Sequence, residues 1–416
     1  MNETRTVWKR FVPWVACLQL LTGCAYTLYS VPDLSNKSVD ELIDIATIQD
    51  TTPRGREIRS KAIYALRSYN VSRIAPNQPH KREQAVTTLL GLLDRTEDFN
   101  GQVGQALCST LDSYSNDAAR ILPKLISVSE NVRGPSVRLS CVSALARLSS
   151  THAPQALPFF MREAAVALVK NPSVSERSAD PLGAMRGIAN IGPGAQEAAP
   201  LLKSIISDAQ TAWLKPQPVG AYWTAWLKLQ AARAYWKVTG ETSFVVELSS
   251  SILRETNRRG EHSVSFEGML LPIIFELGPA ARSATPALQK MMVSEDGYCP
   301  GSSKLGPAYA CRAYAGAALW RTDPSQRTFL AGFFEDPVYA WGSVAFFCHM
   351  ELGELAQLLP SLRKAYEKSK ADKKLWNSYW GRAEDRIGAV LRYASGELDT
   401  EPYEKTCRAY ESEVFY

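Results

Sequence analysis

One short pattern recurs in phase along this chain and limits what it can fold into. Ile58-Arg59-x-x-Ala62-x-x-Ala65-Leu66 returns as Val137-Arg138-x-x-Cys141-x-x-Ala144-Leu145. It returns again as Leu227-Lys228-x-x-Ala231-x-x-Ala234-Tyr235 and as Cys311-Arg312-x-x-Ala315-x-x-Ala318-Leu319. Looser copies start near Gly183, Phe266 and Val338. Steps of three and four residues place the small positions on one helical face. Small side chains on that face let a neighbouring helix approach closely.

A second element follows the first. "IGPGAQEAAPLLKSII" at 191–206 matches "LGPAARSATPALQKMM" at 277–292 almost position for position. Gly192 and Gly278 suit the end of a helix, with Pro193 and Pro279 just beyond it. Pro200 and Pro286 suit the first turn of the next helix. The two copies lie 86 residues apart, leaving room for one more unit of about 43, which "VTGETSFVVELSSSIL" at 238–253 fills. The repeating unit is therefore helix, Gly/Pro turn, helix, in roughly 40–45 residues.

These motifs resemble the HEAT-repeat family, its bacterial versions in particular, over residues of about 37–395. The resemblance implies an all-α fold, a right-handed α-solenoid of about 7–8 helical hairpins. It also implies a role in binding another protein, because solenoids offer long curved surfaces. One departure is visible. The family often carries an Asp before the Val-Arg pair, which builds a ladder of Asp–Arg contacts. Here Glu57, Ser136 and Ala310 hold that place, so an intact ladder is not expected. Cys311 to Val338 spans only 27 residues, so the C-terminal units are expected to be irregular or capping. Residues 70–82 and 294–309 read as loops that interrupt the period.

The N-terminus has a different character. A basic stretch with Arg5, Lys9 and Arg10 precedes "FVPWVACLQLL", an apolar run of about a dozen residues. A membrane-spanning helix needs about 20. The lengths fit a secretory signal peptide. Leu21-Thr22-Gly23-Cys24 then resembles the lipobox of bacterial lipoproteins. That resemblance implies cleavage before Cys24 and acylation of its thiol, with two or more acyl chains giving stable anchoring. Ala25 stands where enteric-type sorting places an Asp for inner-membrane retention, which by analogy favours the outer membrane. The expected organisation is signal peptide 1–23, lipidated Cys and tether 24–36, solenoid 37–395, and a tail or cap 396–416. The expected location is the bacterial cell envelope, lipid-anchored and facing the periplasm. An uncleaved signal anchor and a chance match in a cytoplasmic chain remain as alternatives.

Charge and cysteine content narrow the function classes. The net charge is +5, and +3 once residues 1–23 are removed, with no long block of one sign. That argues against nucleic acid as a partner. Of eight cysteines, none form a CxxC pair, so familiar zinc spacings are missing. Six cysteines follow Cys24, an even set suited to an oxidising compartment. Cys299 and Cys311 flank a Gly/Pro loop and are candidates for a disulfide; the other reading makes Cys311 a small core residue. Cys141 occupies an alanine position and reads as a buried thiol.

Neither a metal site nor a cofactor is expected. Only four histidines occur, at 80, 152, 262 and 349, without HExxH or paired spacing. Ser361-Leu-Arg-Lys364 and Lys237-Val-Thr-Gly240 match fragments of penicillin-binding enzymes, but both fall within helical repeats. Walker A and GxSxG motifs are missing. The chain is accordingly expected not to be an enzyme and to have no catalytic residue. Aromatic clusters at Tyr222, Trp223 and Trp226, and at Trp376 and Trp380, are either core packing or an exposed platform for a protein or glycan. The alternative function is an α/α-toroid enzyme or binder acting on envelope glycans, which needs a closed ring with facing carboxylates. A purely structural envelope protein is a third reading.

Overall fold

The computed structural model describes residues 34, 37–68, 79–95, 101–131, 135–148, 155–169, 179–208, 219–259, 264–293, 307–371, 383–397 and 406–407. The signal peptide, the lipobox and the tether up to 33 lie outside them. Every regular element among the described residues is a helix. Among them, no helix is long and apolar enough to cross a membrane.

A helix, α1 (Val39–Thr47), opens the array. Its start is fixed by a reciprocal cap: Glu41 N–H donates to Ser38 Oγ, and Ser38 N–H donates to the Glu41 carboxylate. There follow α2 (Pro53–Ser68), α3 (Pro79–Leu93), α4 (Gln102–Leu111), α5 (Ala118–Asn131), α6 (Pro135–Leu148) and α7 (Leu157–Ala165). Next come α8 (Pro181–Ile191), α9 (Ala199–Asp208), α10 (Val219–Thr239), α11 (Ser243–Arg259), α12 (Val264–Leu277) and α13 (Thr285–Val293). The C-terminal end is more broken: α14 (Pro307–Thr322), α15 (Arg327–Phe333), α16 (Pro337–Gly342), α17 (Val344–Cys348), α18 (Leu352–Leu355), α19 (Leu359–Ala371) and α20 (Ala383–Ser395).

The tight repeat motif lies on α2, α6, α10 and α14, and the looser copies on α8, α12 and α16. These helices and α4 make a first layer in which α2 packs on α4, α4 on α6, α6 on α8, α8 on α10, and α12 on α14. Each intervening helix forms a hairpin with the first-layer helix that follows it: α1 packs on α2, α3 on α4, α5 on α6, α7 on α8, α9 on α10 and α13 on α14. The main packing contacts join neighbouring units only. That is an open solenoid; the described helices show no closure of the kind a toroid requires.

Prolines set many of the starts. Pro53, Pro79, Pro135, Pro181, Pro307 and Pro337 each begin a helix, where a missing N–H costs nothing. This corrects the loops expected at 70–82 and 294–309. Pro79 and Pro307 are helix starts, so the last residues of both stretches are helical. The Gly/Pro turns are as expected. Gly192 and Gly278 have φ of 66° and 54°, the left-handed region that ends a helix. A short 3-10 stretch then leads into α9 and α13.

Close approach between layers depends on absent side chains. A Cβ on Gly187 of α8 would lie 2.4 Å from the ring of Phe160 on α7. Helix α10 plays a special part. Leu227, Ala231, Ala234 and Val238 enter a first core that runs back to Leu34. Trp226, Leu229 and Ala232 of the same helix enter a second core that runs on to Cys407. A helix apolar on two faces is a buried wall, and α10 is the wall both cores share.

Two disulfides are described in full. Cys108 on α4 bonds to Cys141 on α6, with Cα atoms 4.7 Å apart. Cys348, the last residue of α17, bonds to Cys407, with Cα atoms 5.3 Å apart. The first corrects the reading of Cys141 as a buried thiol. The alanine position faces the next first-layer helix at backbone-contact distance, and there a cysteine meets a second cysteine. The bond at Cys407 holds Thr406 and Cys407 buried against the end of the array.

Candidate functional site

The basic residues of the repeat divide into two sets with different work. The cation at the second motif position serves the fold. Arg59 Nε donates to the carbonyl of Ala46 at the end of α1, at 3.2 Å. Lys228 Nζ donates to the carbonyl of Ser207 at the end of α9, at 3.1 Å. Arg138 pairs with the buried Glu163 of α7. Each closes a first-layer helix onto a neighbouring hairpin partner.

The second set stands about two and a half turns further on. Arg147, Lys237 and Arg321 each follow the motif start by ten residues, and Arg67 follows Ile58 by nine. All four lie in the last turn of their helices. A cation there is favoured by the negative end of the helix dipole. Because first-layer helices pack side by side, these ends line up along one edge. Gly192 and Gly278 mark the same edge: their Cβ positions face the carbonyls of Lys237 and Arg321 at 3.7 and 3.9 Å.

Along this edge one carboxylate recurs between two cations. Asp112, just after α4, is held by Arg147 and lies 3.5 Å from Arg67 Nη2. Glu276, near the end of α12, receives both Arg233 Nε at 2.9 Å and Arg233 Nη2 at 2.7 Å, and Lys237 Nζ stands 3.6 Å away. Glu354 on α18 lies 3.2 Å from Arg321 Nε and 3.7 Å from Arg327 Nη2. The carboxylates are sunk, with side chains 3%, 6% and 14% exposed. Arg67, Arg147, Lys237, Arg321 and Arg327 sit above them, at 23–34%. Each trio therefore presents its net positive charge to solvent.

The electrostatics of the three carboxylates differ. Burial pushes the Asp112 carboxyl up against the pull of Arg147 and Arg67. Burial also opposes ionisation at Glu276, but there the Arg233 fork and Lys237 win and hold it below its ordinary value. Burial lowers the Lys237 ammonium, Glu276 pulls it back, and Arg233 and Arg321 add like-charge repulsion. Burial also lowers Arg186 of α8; Asp180 supports its charge, and Arg233 and Arg147 oppose it.

These trios are not the ladder of the family pattern, which was not expected to be intact here. Their carboxylates come from neighbouring helices and not from the position before Val-Arg. Glu57, which holds that position on α2, lies 3.7 Å from Lys61 on its own helix. The sequence signal for this edge is a basic residue one or two positions beyond the Ala-Leu step.

The residues singled out from sequence are placed as follows. Trp226 is 5% exposed inside the second core, so it is core packing and not part of a platform. The side chains of Tyr222 and Trp223 lie outside the described residues, as do Trp376 and Trp380, the lipobox Leu21, Thr22 and Gly23, the lipidation site Cys24, and Cys299. Cys311 is a disulfide half whose partner lies outside the described residues. Ser361 is buried in the first turn of α19, whereas Lys364 faces outward to Glu335 at 2.6 Å. Among the described residues no three His, Cys, Asp or Glu side chains group as metal ligands would.

No family model matches the chain. No curated protein matches it either. A chain in the solved complex of CpcE and CpcF of phycocyanin lyase from Nostoc sp. PCC7120 is similar to it. The identity is 19% and the TM-score 0.44, over 71% of this chain and 91% of that one. The similar chain belongs to a lyase complex, and this corrects the expectation that the present chain is not an enzyme. A missing familiar motif is too weak a ground for that exclusion.

Proposed function

We propose that this chain is a protein-binding scaffold, held at a bacterial envelope membrane by lipid on Cys24 and facing an oxidising compartment. The observation that carries the binding role is the first-layer edge, where a cation–carboxylate trio recurs at Asp112, Glu276 and Glu354. A surface that recurs along a solenoid suits a protein partner better than a small ligand. The disulfides Cys108–Cys141 and Cys348–Cys407 support the compartment, since such bonds persist where thiols are oxidised. The outer membrane is the favoured address, on Ala25. Within this reading Cys299 is the partner of Cys311.

In-cell crosslinking of the mature protein followed by mass spectrometry tests the scaffold role. A defined protein crosslinked along the array supports it; recovery of the chain alone overturns it. Membrane fractionation of Cys24→Ala tests the anchor. Release from the membrane with loss of the lipid mass shift is expected, and retention with an unchanged mass overturns it.

A further inference from the structure

We infer that the intervening helices of the N-terminal half form a salt-sensitive hinge: rising ionic strength spreads α3, α5 and α7, while the first-layer helices α2, α4, α6 and α8 keep their spacing. The ties concerned lie within the fold, so the hinge does not depend on the scaffold reading.

The first layer is joined by neutral and covalent ties. Between α2 and α4, Thr110 Oγ1 donates to the Ile63 carbonyl at 3.1 Å, and Tyr114 Oη donates to the Leu66 carbonyl at 2.9 Å. Both bonds are buried. Between α4 and α6 the tie is the Cys108–Cys141 disulfide. Between α6 and α8, Asn190 Nδ2 donates to the Ala146 carbonyl at 2.6 Å. Around these bonds the helices meet through buried Ala62, Leu107, Val142 and Leu145.

The intervening helices are joined by charge. Arg82 Nη2 of α3 lies 2.7 Å from Asp117, the residue before α5. Arg120 Nη1 of α5 lies 2.7 Å from Glu83 of α3, and Lys124 of α5 pairs with Asp94, just past the end of α3. Arg162 of α7 pairs with Glu130 of α5. The Arg120–Glu83 and Arg162–Glu130 pairs are exposed at both ends. These three helices lie against one another less than the first-layer helices do.

The two kinds of tie answer differently to dissolved ions. The screening length falls from about 10 Å at 0.1 M salt to about 3 Å at 1 M, which weakens exposed ion pairs. Neutral hydrogen bonds, a disulfide and apolar contacts are not weakened in this way. Loosening one layer while the other holds changes the angle between successive units and leaves each helix folded. An exposed pair contributes little to stability, but a bend between units is soft and needs little to move it. The shape of the first-layer face is thereby set by ionic strength.

The test uses the mature chain with nitroxide labels on pairs of introduced cysteines. Gln84→Cys with Ala119→Cys spans α3 and α5, and Ser127→Cys with Gln155→Cys spans α5 and the start of α7; all four sites are exposed. Tyr64→Cys with Leu139→Cys spans the first layer from α2 to α6, again at exposed sites. Double electron–electron resonance is expected to show both intervening-helix distances growing by a few ångströms between about 0.1 M and about 1 M sodium chloride. The first-layer distance should stay the same. Arg120→Gln is expected to lengthen the α3–α5 distance already at low salt, and Arg162→Gln the α5–α7 distance. Each should remove most of the salt response of its own joint. Circular dichroism melts confirm that each variant is folded.

If either intervening-helix distance fails to grow with salt, the hinge is overturned. An equal change in both layers also overturns it, because the array would then loosen as a whole. A full salt response that survives in both charge variants overturns it too, because the ion pairs would not be the ties that hold the joints.

Discussion

The two cores on either side of α10 solve the same packing problem with different materials. The first core is built from even hairpins and is mostly aliphatic, with Tyr114, Phe159 and Phe160 among its few aromatics. The second contains Trp226, Phe275, Trp320, Phe334, Phe346 and Phe347. Its helices α15 to α18 have only 7, 6, 5 and 4 residues. Long helices fill space by meshing ridges along their length. Helices of one or two turns cannot, so large rings fill the volume instead. Phe346 shows the result, with ring centres 5.0 Å from Phe275 and 4.9 Å from Tyr314. A regular stack needs small residues at fixed steps, and an irregular end needs bulk at a few points.

The sharpest way to break this comparison is to remove one such point. Phe346→Ala should cost about 3–5 kcal/mol, because short helices cannot close over the cavity. Calorimetry should show a low-temperature transition belonging to the second core, with near-UV dichroism lost in the same step. One unchanged transition would show that the two cores respond as a single unit.

The disulfides extend the comparison. Cys108–Cys141 closes 33 residues and Cys348–Cys407 closes 59, each contributing roughly 4 kcal/mol by chain entropy. Their contexts differ. The first joins helices that already pack together, while the second holds buried Thr406 and Cys407 against the array. Cys348→Ser with Cys407→Ser should therefore open the C-terminal end to proteolysis. Cys108→Ser with Cys141→Ser should lower the melting temperature without a new cleavage site. The reverse cleavage pattern would contradict this assignment.

Two buried carboxylates then give opposite responses to acid. Glu276 is held below its ordinary value, so its contribution is present above the unfolded value of about 4.3 and is lost as pH falls through the folded one. Asp112 is pushed up by burial, so its ionised form is a cost that acid relieves. Glu276→Gln should destabilise by about 3 kcal/mol at neutral pH and flatten the acid limb of the stability curve. Asp112→Asn should cost less at neutral pH, and its deficit should widen as pH falls towards the unfolded value of about 3.9, because only the parent gains stability from protonation there. Denaturant titrations across that range check both, and parallel curves would refute the contrast. The smallest effect belongs to the shared turn. Gly192→Ala and Gly278→Ala each force a positive φ on alanine, with only an ordinary contact to a carbonyl at the Cβ, so each should cost about 1 kcal/mol in urea melts. A large difference between them would mean that the turn is not equivalent in the two halves.

Most of the architecture was legible in the primary structure. The four tight motif copies fall on α2, α6, α10 and α14, and the Gly-Pro pairs fall on the turns. The crowding of short elements after Cys311 was also foreseen. Local rules are enough for this, since a helix face is set by steps of three and four and a helix end by Gly and Pro. The prolines at 79 and 307 misled for a local reason too: the same residue that ends a loop also opens a helix.

The candidate surface was only half visible. A basic residue after each Ala-Leu step could be read along the chain, but its carboxylate could not. Arg147 meets Asp112 from 35 residues away, and Arg233 meets Glu276 from 43. Those distances are one repeat long, and only the stacking of helices brings the groups together. The same holds for Cys141, an alanine-like position by pattern and a disulfide by contact with Cys108. Trp226 could not be assigned to core or surface until α10 was seen to face two cores at once. The sequence alone determined the period and the helices, because these depend on neighbours along the chain. The tertiary structure decided which charges, cysteines and rings meet, because those meetings depend on how one repeat lies against the next.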